Sequence, residues 1–148
     1  MKIRTAQPAD IDSLIDFNQK MALETEGKHL DSGVLRSGVE AVFDDEGKGF
    51  YVVSDDAGSI VGGLLVTFEW SDWRNKWFWW IQSVYIVPDA RGKGIYRQMY
   101  DFVKEKAIEN GNVCGFRLYV EKDNLSAQGV YESVGMKGSA YLMYEEHS

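Results

Sequence analysis

The spacing of hydrophobic positions changes period several times along the chain, and each change marks an element. Lys2–Ala6 reads as a strand, and Pro8 then suits the first turn of a helix with the apolar stripe Ile11, Leu14, Ile15, Met21 and Ala22. Asp31 or Ser32 is placed to cap a second helix carrying Val34, Leu35, Val39 and Val42. Phe50–Ser54, Asp55-Asp56-Ala57-Gly58 and Ser59–Trp70 read as strand, turn and strand. Ser71 to Lys76 forms a second turn and Trp77–Val87 another strand. Ile95–Glu109 is a third helix, Phe116–Glu121 a strand, a short helix around Tyr131 follows, and Ala140–Glu145 is a last strand. The order β-α-α-β-β-β-α-β-α-β contains no linker and no repeat. It predicts one domain over residues 1–148: a mixed α/β sheet with a βαβ unit at its centre.

The junction inside that unit carries the most chemistry. The apolar strand stops at Pro88, and Asp89-Ala90-Arg91-Gly92-Lys93-Gly94 leads directly into the helix at Ile95. Glycines at 92 and 94 let the backbone turn tightly with its N–H groups outward. The helix adds unpaired N–H groups and the positive end of its dipole, and no Ser, Thr, Asp or Asn stands immediately before it as a cap. A phosphate suits such donors, with Arg91 and Lys93 adding charge. The segment is not a P-loop, because Ile95 and Tyr96 follow the Gly-Lys-Gly run. It is not the dinucleotide fingerprint either, since Arg97 stands where the third glycine belongs.

Two segments together resemble the GNAT acetyltransferase superfamily. Arg91-Gly92-Lys93-Gly94-Ile95-Tyr96 after Ile86-Val87-Pro88 is similar to its acyl-CoA loop, Arg/Gln-x-x-Gly-x-Gly/Ala, with Tyr96 replacing the usual small residue. Asn124, Ala127, Tyr131 and Gly135 are in register with its later motif, Asn-x-x-Ala-x-x-x-Tyr-x-x-x-Gly-Phe, with Met136 in the aromatic's place. That segment is also coherent by itself. Asn124 suits a helix cap, Ala127, Val130 and Val134 supply an apolar face, and Gly135 suits the left-handed residue after a helix end.

The resemblance implies the GNAT fold and an N-acetyltransferase that moves an acetyl group from acetyl-CoA to a small or peptide amine by direct transfer. It implies that backbone groups of Val84, Tyr85 and Ile86 hold the acetyl and pantetheine, that Arg91, Gly92, Lys93, Gly94, Ile95 and Tyr96 take the pyrophosphate, and that Asn124 also binds the cofactor. A Tyr96 ring on the outer helix face is harmless to that arrangement; one turned inward crowds the phosphates. Tyr131 is the expected proton donor to the departing thiolate. A thiol titrates near ~8.5 and a tyrosine near ~10, so full transfer is uphill and a hydrogen bond to sulfur is the milder form. Many relatives carry a glutamate base about where Gln82 stands, and a glutamine cannot accept a proton at neutral pH. That leaves water or a carboxylate from elsewhere, with Glu24, Glu26 and Glu69 as candidates and solvated charge as the plainer reading of each.

Composition narrows the picture further. The net charge of −7 argues against non-specific nucleic-acid binding and mildly favours a cationic substrate. One cysteine excludes an internal disulfide, and two histidines with it match no metal-ligating spacing, so no metal is expected. No apolar run approaches the roughly 20 residues of a membrane span, and Met1-Lys2-Ile3-Arg4 leads straight into a strand, which predicts a cytoplasmic protein without membrane contact. All five tryptophans (Trp70, Trp73, Trp77, Trp79, Trp80) crowd the second hairpin. Alternation puts Trp77 and Trp79 on one face and Trp80 on the other. They serve either packing or a homodimer contact, or, with Trp70 and Trp73 foremost, an aromatic wall for a cationic acceptor. Two other functions fit the same residues: an acyl-CoA-binding module without catalysis, given Gln82 and Tyr96, and an interaction domain that docks a partner on the hairpin.

Overall fold

The computed structural model describes residues 1–148. Strand β1 (Lys2–Thr5) leads through a 3-10 turn at Pro8–Asp10 into helices α1 (Ile11–Glu26) and α2 (Ser32–Asp44). Strands β2 (Phe50–Asp56), β3 (Ser59–Ser71) and β4 (Lys76–Ile86) follow, then α3 (Ile95–Asn110), β5 (Val113–Leu118) and α4 (Leu125–Ser133). The five strands form one sheet in sequence order, antiparallel from β1 to β4, with β5 parallel to β4. A parallel neighbour requires a crossover, and α3 provides it.

The helices cover the two sheet faces unequally. On one side α3 presents Ile95, Met99, Val103 and Ala107 to Val52, Leu64, Val66, Trp79 and Ile81, all buried in the larger core. On the other, Leu14 of α1 and Val39 of α2 pack on Tyr51 and Val53, so the smaller core sits over β2 and β3. Phe17, outside the apolar stripe read from the sequence, is also buried and meets Tyr85 at 5.2 Å between ring centroids. Asp31 caps α2 by accepting from the Val34 N–H at 2.9 Å. The Arg4 guanidinium joins β1 to Asp10 and Asp55, at 2.8 and 3.2 Å.

Two expected elements differ. The fifth strand begins three residues early, at Val113 rather than Phe116, and ends at Leu118. Gly115 thus lies within the strand opposite Phe78, whose ring takes the space a side chain would need: a Cβ there would stand 2.9 Å from Phe78 Cε1. The strand expected over Ala140–Glu145 does not form. Its backbone finds no ladder partner, and Tyr141, Leu142 and Tyr144 are exposed.

Candidate active site

The loop after β4 is built as a donor cradle. Gly92 and Gly94 both have φ in the left-handed region, 76° and 78°. No heavy atom lies within 4 Å of where their Cβ atoms would stand, so open space adjoins the backbone. The N–H groups of Gly92, Lys93, Gly94, Ile95, Tyr96 and Arg97 find no backbone acceptor; the first helical bond comes from Gln98 to Gly94 at 3.1 Å. Residues 91–94 are exposed. Unpaired donors at the start of a helix suit an anionic acceptor.

Beside this cradle the sheet opens. The β4–β5 ladder ends at the pair Ile81–Leu118, while β4 continues to Ile86. Ser83 has φ 52°, and the β3–β4 register passes from Leu65–Gln82 to Gly63–Tyr85, so β4 carries one extra residue there. That bulge inverts which positions face which side. Before it, Trp79 and Ile81 enter the α3 core; after it, Val84 and Ile86 do, and Tyr85 turns to α1 instead. Val84, Tyr85 and Ile86 thus line a strand without a neighbour on its β5 side, next to the donor loop.

The tyrosines at this opening share one aromatic cluster. Tyr96 is 5% exposed and turned inward, but into the core, where its ring lies parallel to Tyr100 and edge-on to Tyr131 at 5.3 Å. Its ring is thus packed among Tyr100 and Tyr131, while residues 91–94 of the loop stay exposed. Its hydroxyl is the one buried side-chain polar atom without a partner. Burial raises the pKa of Tyr96, with the neighbouring Tyr131 adding to it, and burial raises that of Tyr131 too. Both hydroxyls stay protonated at neutral pH. Asn124 is used locally: its Oδ1 accepts from the Ala127 N–H at 3.1 Å and caps α4. Arg97 binds the other end of α4, donating to the Ser133 carbonyl at 2.6 Å.

Of the three candidate carboxylates, only Glu24 reaches this place. Its carboxylate accepts from Arg91 Nη2 at 2.9 Å and from the Tyr85 hydroxyl at 3.1 Å. Arg91 Nε donates to the Ile86 carbonyl at 2.8 Å, and the guanidinium lies 5.3 Å from the Tyr85 ring centroid. The Arg91 charge, expected on a phosphate, is committed to Glu24, and Lys93 is the loop cation without an ion pair. Tyr85 titrates above its ordinary value, first from burial and then from donating to Glu24. Glu26 ends α1 in solvent beside Lys28 at 3.6 Å, away from the opening.

Glu69 stands further along the same sheet face. Its Oε1 accepts from Trp80 Nε1 and from Arg117 Nη1, both at 2.8 Å. The Arg117 guanidinium lies 3.5 Å over the Phe78 ring. Gln82 lies between this group and the bulge and donates to Thr67 Oγ1 at 2.6 Å. The tryptophans separate as alternation predicts. Trp77 and Trp79 face the α3 side with Trp70, which pairs edge-on with Trp77 at 5.0 Å, and Trp80 faces the Glu69 side. Trp73 is 89% exposed at the turn. Trp70 and Trp73 line a cleft at the hairpin end together with Glu69, Phe78 and Arg117, while the indole on the Gln82 face is Trp80. Arg117 escaped sequence reading because a single arginine in a strand carries no spacing signal.

The model of the Acetyltransferase (GNAT) family matches residues 15–136. A possible acetyltransferase from Clostridium difficile 630 is similar at 44% identity over 99% of this chain and 97% of its own, with a TM-score of 0.92. A predicted acetyltransferase with acetyl-CoA from Clostridium acetobutylicum shares the fold at a TM-score of 0.80 and 19% identity, over 98% of this chain and 95% of its own. The thialysine N-epsilon-acetyltransferase of Bos taurus is 31% identical over 77 residues, 51% of this chain, and the chain spans 44% of that relative's length.

Proposed function

The chain belongs to the GNAT acetyltransferase family, and we propose that it transfers the acetyl group of acetyl-CoA to a primary amine, directly and within a ternary complex. The observation that carries this reading is the row of unpartnered N–H groups from Gly92 to Arg97 beside a strand that has lost its neighbour. A pyrophosphate satisfies the first feature. The thin pantetheine arm, with amides of its own, satisfies the second. The bovine relative's name adds a side-chain ε-amine as the first acceptor to try.

When bound, acetyl-CoA supplies an activated thioester, and the residues of this chain do the rest. The loop donors hold the phosphates, and the bulged β4 backbone from Ser83 to Ile86 orients the thioester. As the neutral amine attacks, an N–C bond forms and negative charge gathers on the carbonyl oxygen. A backbone N–H aimed there contributes about 3 kcal/mol. The C–S bond then breaks, and Tyr131, kept protonated by burial, donates a hydrogen bond to the sulfur. Glu24 alone of the candidate carboxylates touches this place, so the proton leaving the amine moves toward it, directly or through water.

Thiol release from acetyl-CoA, followed with and without added amines, tests the reading. Release that depends on the amine, with a matching acetylated product, is expected. Saturable acetyl-CoA binding with no release for any amine would instead make the chain an acyl-CoA-binding module.

A further inference from the structure

We propose that Glu69 and Arg117 form a head-group subsite for an α-amino acid of lysine length whose side-chain amine is acetylated; this rests on the acetyl-transfer reading above. The pair is held from several directions. Trp80 Nε1 fixes Glu69 Oε1, which also takes Arg117 Nη1, and the Phe78 ring supports the guanidinium at 3.5 Å. Those bonds leave Glu69 Oε2 and the Nε and Nη2 donors of Arg117 unpaired. A cleft of about 250 Å³ adjoins them, lined by Glu69, Phe78, Arg117 and Tyr141, by Trp70 and Trp73, and by one more charge of each sign, Asp72 and Arg74. An ion pair with one free acceptor and two free donors complements a zwitterion: carboxylate on Arg117, ammonium on Glu69 Oε2.

Position and reach select among zwitterions. Helices α1 and α2 pack over β2 and β3, which leaves Gln82, Trp80 and Glu69 on the same face only partly covered. Arg117 is in register with Trp80, three residues before Ser83, and its guanidinium covers Phe78, five residues before it. At roughly 3.3 Å per strand residue the subsite lies about 10 to 17 Å from the bulge. A lysine side chain spans about 6 Å from α-carbon to amine at bond lengths near ~1.5 Å. Adding a contact of about 3 Å at each end, and the breadth of the head group, gives roughly 13 Å. An α-amine has no such reach while its own carboxylate sits on Arg117.

Four acceptors of similar length separate the terms: lysine, 6-aminohexanoate without the α-ammonium, 1,5-diaminopentane without the carboxylate, and pentylamine with neither. For the unaltered chain kcat/KM should be highest for lysine, about tenfold above either singly charged analogue. Arg117→Gln should erase the advantage of lysine over 1,5-diaminopentane, and Arg117→Lys should restore part of it. Glu69→Gln should erase the advantage of lysine over 6-aminohexanoate. A variant that lowers all four acceptors by one common factor would show that the pair only supports the fold and would overturn the proposal. So would pentylamine serving as well as lysine. Calorimetry with acetyl-CoA keeps the two readings apart: binding, and transfer to other amines without a lysine preference, overturns the subsite alone, whereas failure to bind acetyl-CoA overturns the acetyltransferase reading with it.

Discussion

Replacing Glu24 by glutamine should tighten acetyl-CoA binding, although it removes an ion pair. The pair spans 2.9 Å, but Arg91 and Glu24 keep 46% and 42% of their side-chain exposure. At such exposure an ion pair contributes about 0.2–1 kcal/mol, so losing it costs the fold little. Two effects on the ligand run the other way. The carboxylate repels a pyrophosphate seated on Gly92 to Tyr96; at a separation of roughly 8 Å in a water-like dielectric each phosphate charge costs about 0.5 kcal/mol. The freed guanidinium also becomes available to the phosphates. Screening at physiological salt, with a Debye length near ~8 Å, leaves a net gain of about 1 kcal/mol, or about fivefold in Kd. Calorimetric titration with acetyl-CoA at low and high salt reads this directly, and the gain should shrink as salt rises. Weaker binding by Glu24→Gln at every salt concentration would refute the reasoning and make Glu24 an organiser of the donor loop.

Other consequences are equally open to measurement. Tyr131→Phe keeps the ring against Tyr96 and should lower kcat by about ten- to a hundredfold with acetyl-CoA affinity unchanged; an unaltered kcat removes Tyr131 from the mechanism. Gly49 has φ 140°, and a Cβ there would collide with the Val66 carbonyl oxygen. Gly49→Ala should therefore cost about 3 kcal/mol and lower Tm by about 6–12 °C in a thermal melt. Asp10 accepts from Arg4 at 2.8 Å and from the Gln7 N–H at 2.7 Å, and the Arg4 bond holds its pKa below the ordinary carboxylate value. Its stabilisation is then full above about pH 4, the unfolded value, and is lost as pH falls through the lower folded one. Asp10→Asn should flatten that part of the acid-unfolding curve and cost about 2 kcal/mol at neutral pH.

What the sequence made legible follows from how local each cause is. The donor loop could be read because its glycines, its missing cap and the helix start lie within a few residues of one another. The caps at Asp31 and Asn124 and the left-handed Gly135 were legible for the same reason. Causes distant in sequence were not. The bulge at Ser83 depends on the register of β3, and no residue type there announces a positive φ. Glu24 meets Arg91 across 67 positions, which turns an expected phosphate ligand into half of an ion pair. The early start of β5 places Gly115 against the Phe78 ring, a contact between distant strands, and Ala140–Glu145 has strand-forming residues but no ladder partner. Which way Tyr96 points was equally illegible, because only the packing of α3 on the sheet turns its ring into the core.

The loop from Gly92 to Arg97 is expected to hold the pyrophosphate of acetyl-CoA. Calorimetric titration of the chain with acetyl-CoA, dephospho-CoA and S-acetylpantetheine tests this. Saturable one-site binding of the first two, with acetylpantetheine weaker by at least about a hundredfold, is the predicted result. Equal binding of acetylpantetheine, or no binding of acetyl-CoA at millimolar concentration, would contradict it.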